Sequence, residues 1–306
     1  MIIASIDIGT NTILLLIAKT DNKSNNITPL LNEYRMPRLG KGLKPGENIQ
    51  NDKLMNLFEI LSEYQQIIIA HNTDKVIITA TNAFRIAANA NEILNKIKNK
   101  FGYDVDIITG ETEAKYAYLG AILSSMKNVS SFVIDIGGGS TEIISGKNSR
   151  ISYRKSFQIG SVSATEYYLT HSPPTPDSLI NLDNFLVRTF QEIKDKFNPE
   201  LAIAIAGTPT TLFCMVNDLK NYDDSIVEGS RLTYFDIEHL IKILQYLSAS
   251  EIKERYGKVM QGREDIILGG SVILLNIMKL LELPEVIVSA RGIRYGAIVN
   301  YLTSRQ

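Results

Sequence analysis

The stretch SSFVIDIGGGSTEIISG, residues 130–146, decides how the rest of the chain is interpreted. An apolar, β-branched run ends at Asp135, three glycines follow, and apolar residues resume after Glu142. A β-branched run bounded by glycine predicts a buried strand, and glycine permits the backbone angles of a tight turn. The sequence therefore predicts a strand–turn–strand hairpin in which Asp135 lies across from Glu142.

The same pattern occurs once before, in ASIDIGTNTILLLIA at residues 4–18. There Asp7 ends an apolar run, and a polar turn over residues 9–12 leads into a second one. A third candidate strand follows each hairpin, and helices then alternate with strands. For the first half we predict helices over Asn51–His71, Ala83–Lys100 and Glu111–Ser124, and strands over Lys75–Thr81 and Val105–Thr109. For the second half we predict helices over 161–170, 177–197, 209–217, 235–247, 264–282 and from Ile293, and strands over Ser152–Phe157, Leu201–Ala206 and Glu285–Ser289.

This repeated order predicts a duplicated α/β fold of two similar domains with a ligand cleft between them. The 306 residues of the chain are enough for two separate cores. We expect a first lobe at 1–124, joined by the last helix at 292–306, and a second lobe at 125–291.

Composition excludes several classes of protein. Apolar residues make up 44% and charged residues 21%, which is typical of a soluble globular protein. Lys and Arg total 32 against 33 Asp and Glu, so nothing favours nucleic-acid binding. The single cysteine, Cys214, rules out an intrachain disulfide and a cysteine metal cluster. With no leader pattern and no long apolar run, we expect a cytoplasmic protein that does not bind membranes.

The predicted pairing of Asp135 with Glu142 indicates a cation site. Directly opposed side chains on an antiparallel pair lie about 5 Å apart, so two carboxylates there repel each other. A divalent cation removes the repulsion, and Mg²⁺ is commonly held by one or two carboxylates together with substrate phosphates. We therefore predict Mg²⁺ or Mn²⁺ at Asp135 and Glu142.

The turn beside this pair has the composition of a phosphate-binding loop. Exposed glycine N–H groups suit an anion, and hydroxyl groups add donors. The candidate phosphate-binding residues of this turn are Gly137, Gly138, Gly139, Ser140 and Thr141. In the alternative interpretation the glycines only satisfy the turn geometry, but a second, matching hairpin argues against it. That first hairpin contributes Thr10, Asn11 and Thr12 as further neutral donors.

Two further segments run from a strand end into a helix. TATNAFRIAANA, residues 79–90, places Arg85 in the first turns of a helix, where a guanidinium can bind phosphate. An ordinary solvated helix arginine is the alternative. ITGETEAKYAYLGA, residues 108–121, places Glu111 and Glu113 near a helix start. One of them is explained by the helix dipole, and the other is a candidate general base; the pattern alone leaves the choice open.

A third segment, LAIAIAGTPTTLFCM at 201–215, reads as a strand, a glycine turn and a helix start. Gly207, Thr208 and Thr210 are candidates for a second phosphate or a nucleotide base. The three histidines show no metal-ligand spacing, and Cys214 lies in an apolar helix, which predicts a core position.

Together these motifs resemble the exopolyphosphatase / guanosine pentaphosphate phosphohydrolase family, which has the duplicated fold of actin, Hsp70 and the sugar kinases. The similarity covers the whole chain in register. The segments that carry it are IDIGTNT (6–12), TNAFRIAAN (81–89), TGETEAKYAYLG (109–120), IDIGGGSTE (134–142), AGTPTT (206–211), GREDIILGG (262–270) and VSARGIRYGAI (288–298).

The resemblance implies metal-dependent hydrolysis of a terminal phosphoanhydride, with inorganic polyphosphate as the expected substrate. It identifies Glu113, and not Glu111, as the base, and it implies a phosphate-binding role for Arg85. Asp135 and Glu142 would position metal and water. The resemblance alone leads us to expect a homodimer. The chain matches the short two-domain form of the family, and it departs from the family pattern at Ile86, Thr112, Ala290 and Tyr295.

Three other functions fit parts of the pattern. The same site could hydrolyse guanosine pentaphosphate, and the sequence does not separate this substrate from polyphosphate. An ATP-dependent small-molecule kinase of the same fold would release no phosphate without an acceptor. A non-catalytic module that binds phosphate or nucleotide is the third alternative, and the presence of Glu113 argues against it because binding alone requires no base.

Overall fold

A computed structural model describes residues 1–21, 27–122, 129–148, 150–194, 196–197, 199–260 and 262–305. The chain divides into two units, Met1–Gly120 with Gly292–Gln306 and Ala121–Arg291. The boundary that we predict between residues 124 and 125 lies outside the described residues, so the predicted domain division stays a prediction.

The regular elements follow one another in the order that the sequence indicates. The strands are β1 (Ile2–Ile8), β2 (Ile13–Thr20), β3 (Ile27–Arg35), β4 (Lys75–Ala80), β5 (Asp106–Ile107), β6 (Ser130–Ile136), β7 (Thr141–Lys147), β8 (Arg150–Phe157), β9 (Leu201–Ile205), β10 (Ser230–Thr233) and β11 (Glu285–Ser289). The helices are α1 (Asn51–Ala70), α2 (Asn82–Ile86), α3 (Ala90–Phe101), α4 (Gly110–Ala121), α5 (Ser161–Tyr168), α6 (Pro176–Phe190), α7 (Gly207–Val216), α8 (Asp224–Val227), α9 (Tyr234–Leu244), α10 (Ala249–Tyr256), α11 (Ile267–Leu280) and α12 (Ile293–Thr303). None of the described helices has the length and hydropathy of a membrane span.

The two units share one strand order. The first sheet runs β3-β2-β1-β4-β5 and the second runs β8-β7-β6-β9-β11-β10, so the second repeats the first and adds β10 at one edge. In each sheet an antiparallel hairpin leads into parallel strands. This repeat confirms the duplicated α/β fold that we predict from the sequence.

The two hairpins also share one turn geometry. In the first, Ile8 pairs with Ile13, and the N–H of Gly9 donates to the carbonyl of Thr12 at 2.8 Å. In the second, Ile136 pairs with Thr141, and a bond of 2.9 Å closes the turn between residues 137 and 140. Each hairpin therefore closes through a four-residue turn directly after the strand that ends in Asp-Ile.

Alternation along β1 separates the two faces of the first sheet. Ile6 and Ile8 join a core that includes Leu57 and Leu61 of α1. Ile3 points to the opposite face, where it packs with Ile298 of α12. Because side chains alternate along a strand, Ser5 and Asp7 share the face of Ile3, which α12 covers.

The last helix, α12, packs very closely against α4. A methyl group on Gly296 of α12 would overlap the backbone carbonyl of Tyr116 in α4, and one on Gly120 would overlap the carbonyl of Gly292. Backbone atoms cannot move aside as a flexible side chain can. The glycines therefore set the distance between the two helices that carry polar side chains on this face.

The continuous helix that we predict over Ala83–Lys100 is wrong: α2 ends at Ile86 and α3 begins at Ala90. Between them the N–H of Ala88 donates to the carbonyl of Glu47 at 2.9 Å. Asn89 forms two hydrogen bonds with the backbone of Ile49, at 3.0 and 3.1 Å. The bond from Ala88 uses a backbone N–H that a continuous helix would have used, and the side chain of Asn89 holds the break against Ile49. The strand predicted over 105–109 is only two residues long, and α8, β10 and α10 are not predicted.

We expect Gly296→Ala to lower the free energy of unfolding by about 2 kcal/mol, because the added methyl group forces α4 and α12 apart. Urea unfolding of the purified variant measures this. The matched control is Gly110→Ala at the start of α4, where the added methyl group meets nothing within 4 Å. An equal effect of both substitutions would contradict the close packing of the two helices.

Candidate functional site

Asp135 and Glu142 lie directly opposite each other, as the predicted register requires. Their exposed fractions are 7% and 2%. Two buried acids at opposed positions repel each other when both are ionised, and burial intensifies the repulsion because water no longer screens it. The second hairpin therefore holds an acidic pair that requires compensation by a cation or by hydrogen-bond donors.

The row of side chains continues onto the next strand. Ser156 of β8 pairs with Glu142 in the sheet, and its hydroxyl donates to Oε1 of Glu142 at 2.7 Å. This bond fixes the orientation of the Glu142 carboxylate. Our interpretation of the sequence missed Ser156; the signal was a serine just before the end of the third strand, level with the acidic pair.

The glycine turn of the second hairpin caps the start of α5. The carbonyl of Gly137 accepts from the N–H of Ser161 at 2.9 Å. The carbonyl of Gly138 accepts from two further N–H groups of that helix, at 2.9 and 3.1 Å. A methyl group on Gly160 would overlap the turn, so this approach needs glycine. Within the described chain, no backbone carbonyl accepts from the N–H groups of Gly138 and Gly139, which leaves these donors for an anion.

The two hydroxyl residues of this turn are both buried. Thr141 is fully buried, and its hydroxyl donates to the carbonyl of Ile159 at 2.6 Å. That hydroxyl holds the hairpin to the segment before α5. Ser140 is also buried, with 6% of its surface exposed.

The polar turn of the first hairpin is held by a loop that our interpretation of the sequence did not consider. The carbonyl of Thr10 accepts from the N–H of Gly40 at 2.8 Å, and that of Asn11 accepts from the N–H of Arg38 at 3.0 Å. The side chains of Thr10, Asn11 and Thr12 stay partly exposed. Their carbonyls are engaged by the protein, while the side chains keep access to solvent.

Glu113 and Arg85, for which we predict separate roles, form a partly buried ion pair. Nη1 of Arg85 lies 2.6 Å from Oε2 of Glu113 and also donates to the carbonyl of Ile108 at 2.9 Å. Burial raises the pKa of Glu113 above its ordinary value, and Arg85 partly opposes this shift. A carboxylate with a raised pKa accepts a proton more readily, which suits a general base. Glu111, two residues earlier, is exposed.

Asp7 is a buried acidic residue that we did not predict as part of the site. It is 8% exposed, and its Oδ1 has no hydrogen-bond partner among the described residues. Burial raises its pKa to about 7, the charge of Glu113 adds to the shift, and Arg294 of α12 opposes it. The match between the two hairpins was the signal that could have identified it, because Asp7 occupies the position of Asp135.

The third candidate segment is closely packed. Thr208 is buried and lies against Gly270 of α11. The hydroxyl of Thr210 donates to the carbonyl of Ala206 at 3.0 Å. The guanidinium of the buried Arg263 lies directly over Gly207, so a cation covers the start of α7. Arg263 was not among the predicted site residues.

The acidic pair fits Mg²⁺ in donor type and number. No group of three or more His, Cys, Asp and Glu side chains that could hold a metal occurs in the described ranges, so an all-protein metal cage is not formed there. Mg²⁺ keeps several waters and is usually bound through one or two carboxylates plus substrate phosphates. Asp135 and Glu142, buried at opposed positions beside free turn N–H groups, provide such a set.

Comparison with known proteins assigns the family. A family model described as the Ppx/GppA phosphatase family matches residues 16–305. The chain belongs to the Ppx/GppA phosphatase family. Exopolyphosphatase 2 of Mycobacterium tuberculosis is 30% identical over 295 residues, covering 92% of this chain and 91% of that protein.

Two further comparisons extend over nearly the whole chain. The bifunctional 3-dehydroquinate synthase/phosphatase of Fusobacterium nucleatum is 29% identical, covering 97% of this chain, and the chain spans only 46% of that relative's length. The crystal structure of the Aquifex aeolicus family member aligns with a TM-score of 0.87 at 31% identity, covering 100% of this chain and 99% of that one.

For this Ppx/GppA chain, the raised pKa of Asp7 predicts a pH-dependent stability. A carboxyl group with a higher pKa in the folded state keeps its proton there, so its contribution to stability falls as the pH rises from about 4 to about 7. Asp7→Asn removes this loss. The stability of the variant relative to wild type should increase by about 2 kcal/mol between about pH 5 and about pH 8.

Urea unfolding at both pH values measures the difference. Asp104→Asn is the control, because that side chain is 88% exposed and should show no such trend. A constant difference between Asp7→Asn and wild type across this range would show that Asp7 titrates normally.

Proposed function

We propose that this chain is an exopolyphosphatase that hydrolyses the terminal phosphoanhydride of inorganic polyphosphate and releases orthophosphate. The observation that carries the proposal is the buried pair of Asp135 and Glu142 beside a glycine turn with free N–H donors, in a chain that matches the Ppx/GppA phosphatase family. The 30% identity to exopolyphosphatase 2 of M. tuberculosis over nearly the full length of both chains supports it.

The turn of the second hairpin binds the terminal phosphate. The N–H groups of Gly138 and Gly139 donate to its oxygens, since no backbone carbonyl of the described residues accepts from them. The carbonyls of Gly137 and Gly138 cap α5 and so hold the loop in place. Thr10, Asn11 and Thr12 are proposed to donate to the phosphate chain from the first hairpin. Preorganised N–H donors stabilise charge without rearrangement during the reaction.

Asp135 and Glu142 would hold Mg²⁺ or Mn²⁺, with Ser156 orienting the Glu142 carboxylate. The bound cation would neutralise phosphate charge. The cation would in turn reduce the repulsion between the two carboxylates, which are buried at opposed positions.

Glu113 acts on the attacking water. As the water oxygen forms a bond to the terminal phosphorus, the bridging P–O bond breaks, and the water proton passes to Glu113. The remaining chain leaves, one phosphate shorter. Burial raises the pKa of Glu113 and so favours acceptance of the proton, while Arg85 fixes one of its carboxylate oxygens. Positioning and charge neutralisation provide most of the catalysis of phosphoryl transfer.

Arg85 is proposed to bind a phosphate oxygen with its remaining donors. Its bonds to Glu113 and to the carbonyl of Ile108 both use Nη1. A guanidinium carries five N–H donors, so Nε and Nη2 can reach the substrate without loss of the ion pair.

We expect Glu113→Gln to lower the rate of orthophosphate release from polyphosphate by about a thousandfold, because the amide cannot accept the proton. Glu111→Gln is the matched control and should keep near wild-type turnover, since Glu111 is exposed. Full turnover by Glu113→Gln would show that the assigned base is wrong.

The same assay separates the alternatives. Release from polyphosphate without an acceptor rules out a kinase and a non-catalytic module. A higher kcat/KM for guanosine pentaphosphate than for polyphosphate, measured side by side, would transfer the assignment to that substrate.

We expect Ser156→Ala to raise the Mg²⁺ concentration for half-maximal activity by roughly tenfold, because a hydrogen bond that orients a metal-binding carboxylate is lost. Ser152→Ala on the same strand is the control; its hydroxyl donates to the backbone carbonyl of Ser145. Titration of activity against Mg²⁺ for both variants measures the effect. Identical titration curves would separate Ser156 from the metal site.

A further inference from the structure

The two hairpins differ at one decisive position. Asp135 faces Glu142 across its hairpin, whereas Asp7 faces Leu14. The first hairpin therefore has no second carboxylate with which to share a cation. Asp7 is nevertheless buried, so the groups that balance its charge must come from elements outside the hairpin.

Arg294 of α12 provides the opposite charge. It is 8% exposed, and its Nη1 donates to the carbonyl of Leu15 at 3.2 Å and to Oδ1 of Asn32 at 2.9 Å. These bonds fix the guanidinium against β2 and β3, on the face of the sheet that Asp7 shares. Its Nε has no hydrogen-bond partner among the described residues, as is also true of Oδ1 of Asp7. A buried cation and a buried acid on one face thus each keep an unpaired polar atom.

We propose that Arg294 is a positioning residue for hydrolysis: its buried guanidinium balances the charge of Asp7, and through Asp7 it sets how readily Glu113 accepts a proton. The inference rests on the proposed function, in which Glu113 is the base. It also assigns a role to VSARGIRYGAI, the C-terminal motif to which the proposed mechanism gives none.

In the part of the chain that the structure describes, two ionisable groups act directly on Asp7. Glu113 comes from α4, Arg294 comes from α12, and Arg85 of α2 acts through its ion pair with Glu113. The sheet neighbours of Asp7 are Leu14 on β2 and Thr79 on β4, and neither ionises near neutral pH. The ionisation of Asp7 therefore depends on its burial, on the negative charge of Glu113 and on the positive charge of Arg294.

The sign of the effect follows from these charges. An ionised Asp7 repels the charge on Glu113 and so strengthens Glu113 as a proton acceptor. Arg294 lowers the pKa of Asp7 and keeps Asp7 ionised at lower pH. Loss of the cation lets Asp7 keep its proton to higher pH, so the acid limb of the rate profile, which follows the ionisation of Asp7 in this proposal, moves to higher pH.

The test compares the pH dependence of kcat/KM for polyphosphate hydrolysis in wild type, Arg294→Gln and Arg294→Lys, each with and without Asp7→Asn. Arg294→Gln removes the charge but keeps an amide donor for Leu15 and Asn32. We expect this substitution to move the acid limb of kcat/KM to higher pH by about one unit. Arg294→Lys should restore the wild-type profile, and Arg294→Gln should cause no further shift once Asp7 is Asn.

The opposite results overturn the proposal. If Arg294→Gln lowers kcat equally at every pH, or shifts the limb equally in the Asp7→Asn background, Arg294 has only a structural role. If Arg294→Gln fails to fold, the other two variants still test the proposal. Arg294→Lys must keep the acid limb at the wild-type pH. Asp7→Asn must move it to lower pH, because the limb then follows Glu113 without the repulsion from Asp7. A wild-type protein that releases no orthophosphate would instead refute the proposed function itself.

Discussion

Two acids buried at opposed positions of one hairpin are the constraint on which the rest of the site depends. Asp135 and Glu142 cannot both stay charged there without compensation. The hydroxyl of Ser156 provides part of it, and in the proposed mechanism a hard cation would add to it. The adjoining turn uses its carbonyls to cap α5, which leaves N–H donors for the phosphate that such a cation would bind.

Duplication of the α/β unit did not duplicate this chemistry. The two hairpins share strand pairing and turn closure, but Leu14 stands where the second hairpin has Glu142. The second hairpin therefore offers two acids to a cation, whereas in the first hairpin the positive charge of Arg294 opposes the negative charge of Asp7. Glu113 and Arg85 form their ion pair in that same first unit. In the proposed mechanism, the metal ligands therefore come from the second unit and the proton acceptor comes from the first.

Local patterns predict the fold and the opposed positions of Asp135 and Glu142. Strand alternation and glycine position gave the register of Asp135 with Glu142, and the boundaries of β11 agree with the prediction. The features that we did not predict depend on partners that are distant in the sequence. The helix break at Ala88 depends on a carbonyl 41 residues earlier, at Glu47, and Arg85 meets Glu113 28 residues later. No local pattern reveals such contacts. The homodimer and the cytoplasmic location stay predictions.

The most direct test of the central claim is an anomalous diffraction map from crystals of the wild-type protein grown with Mn²⁺. The account predicts one strong anomalous peak within coordination distance of carboxylate oxygens of both Asp135 and Glu142, about 2 Å from each or bridged by a single water. The peak should disappear in Asp135→Asn crystals grown in the same way. An ion bound elsewhere, with both carboxylates uncoordinated, would contradict it.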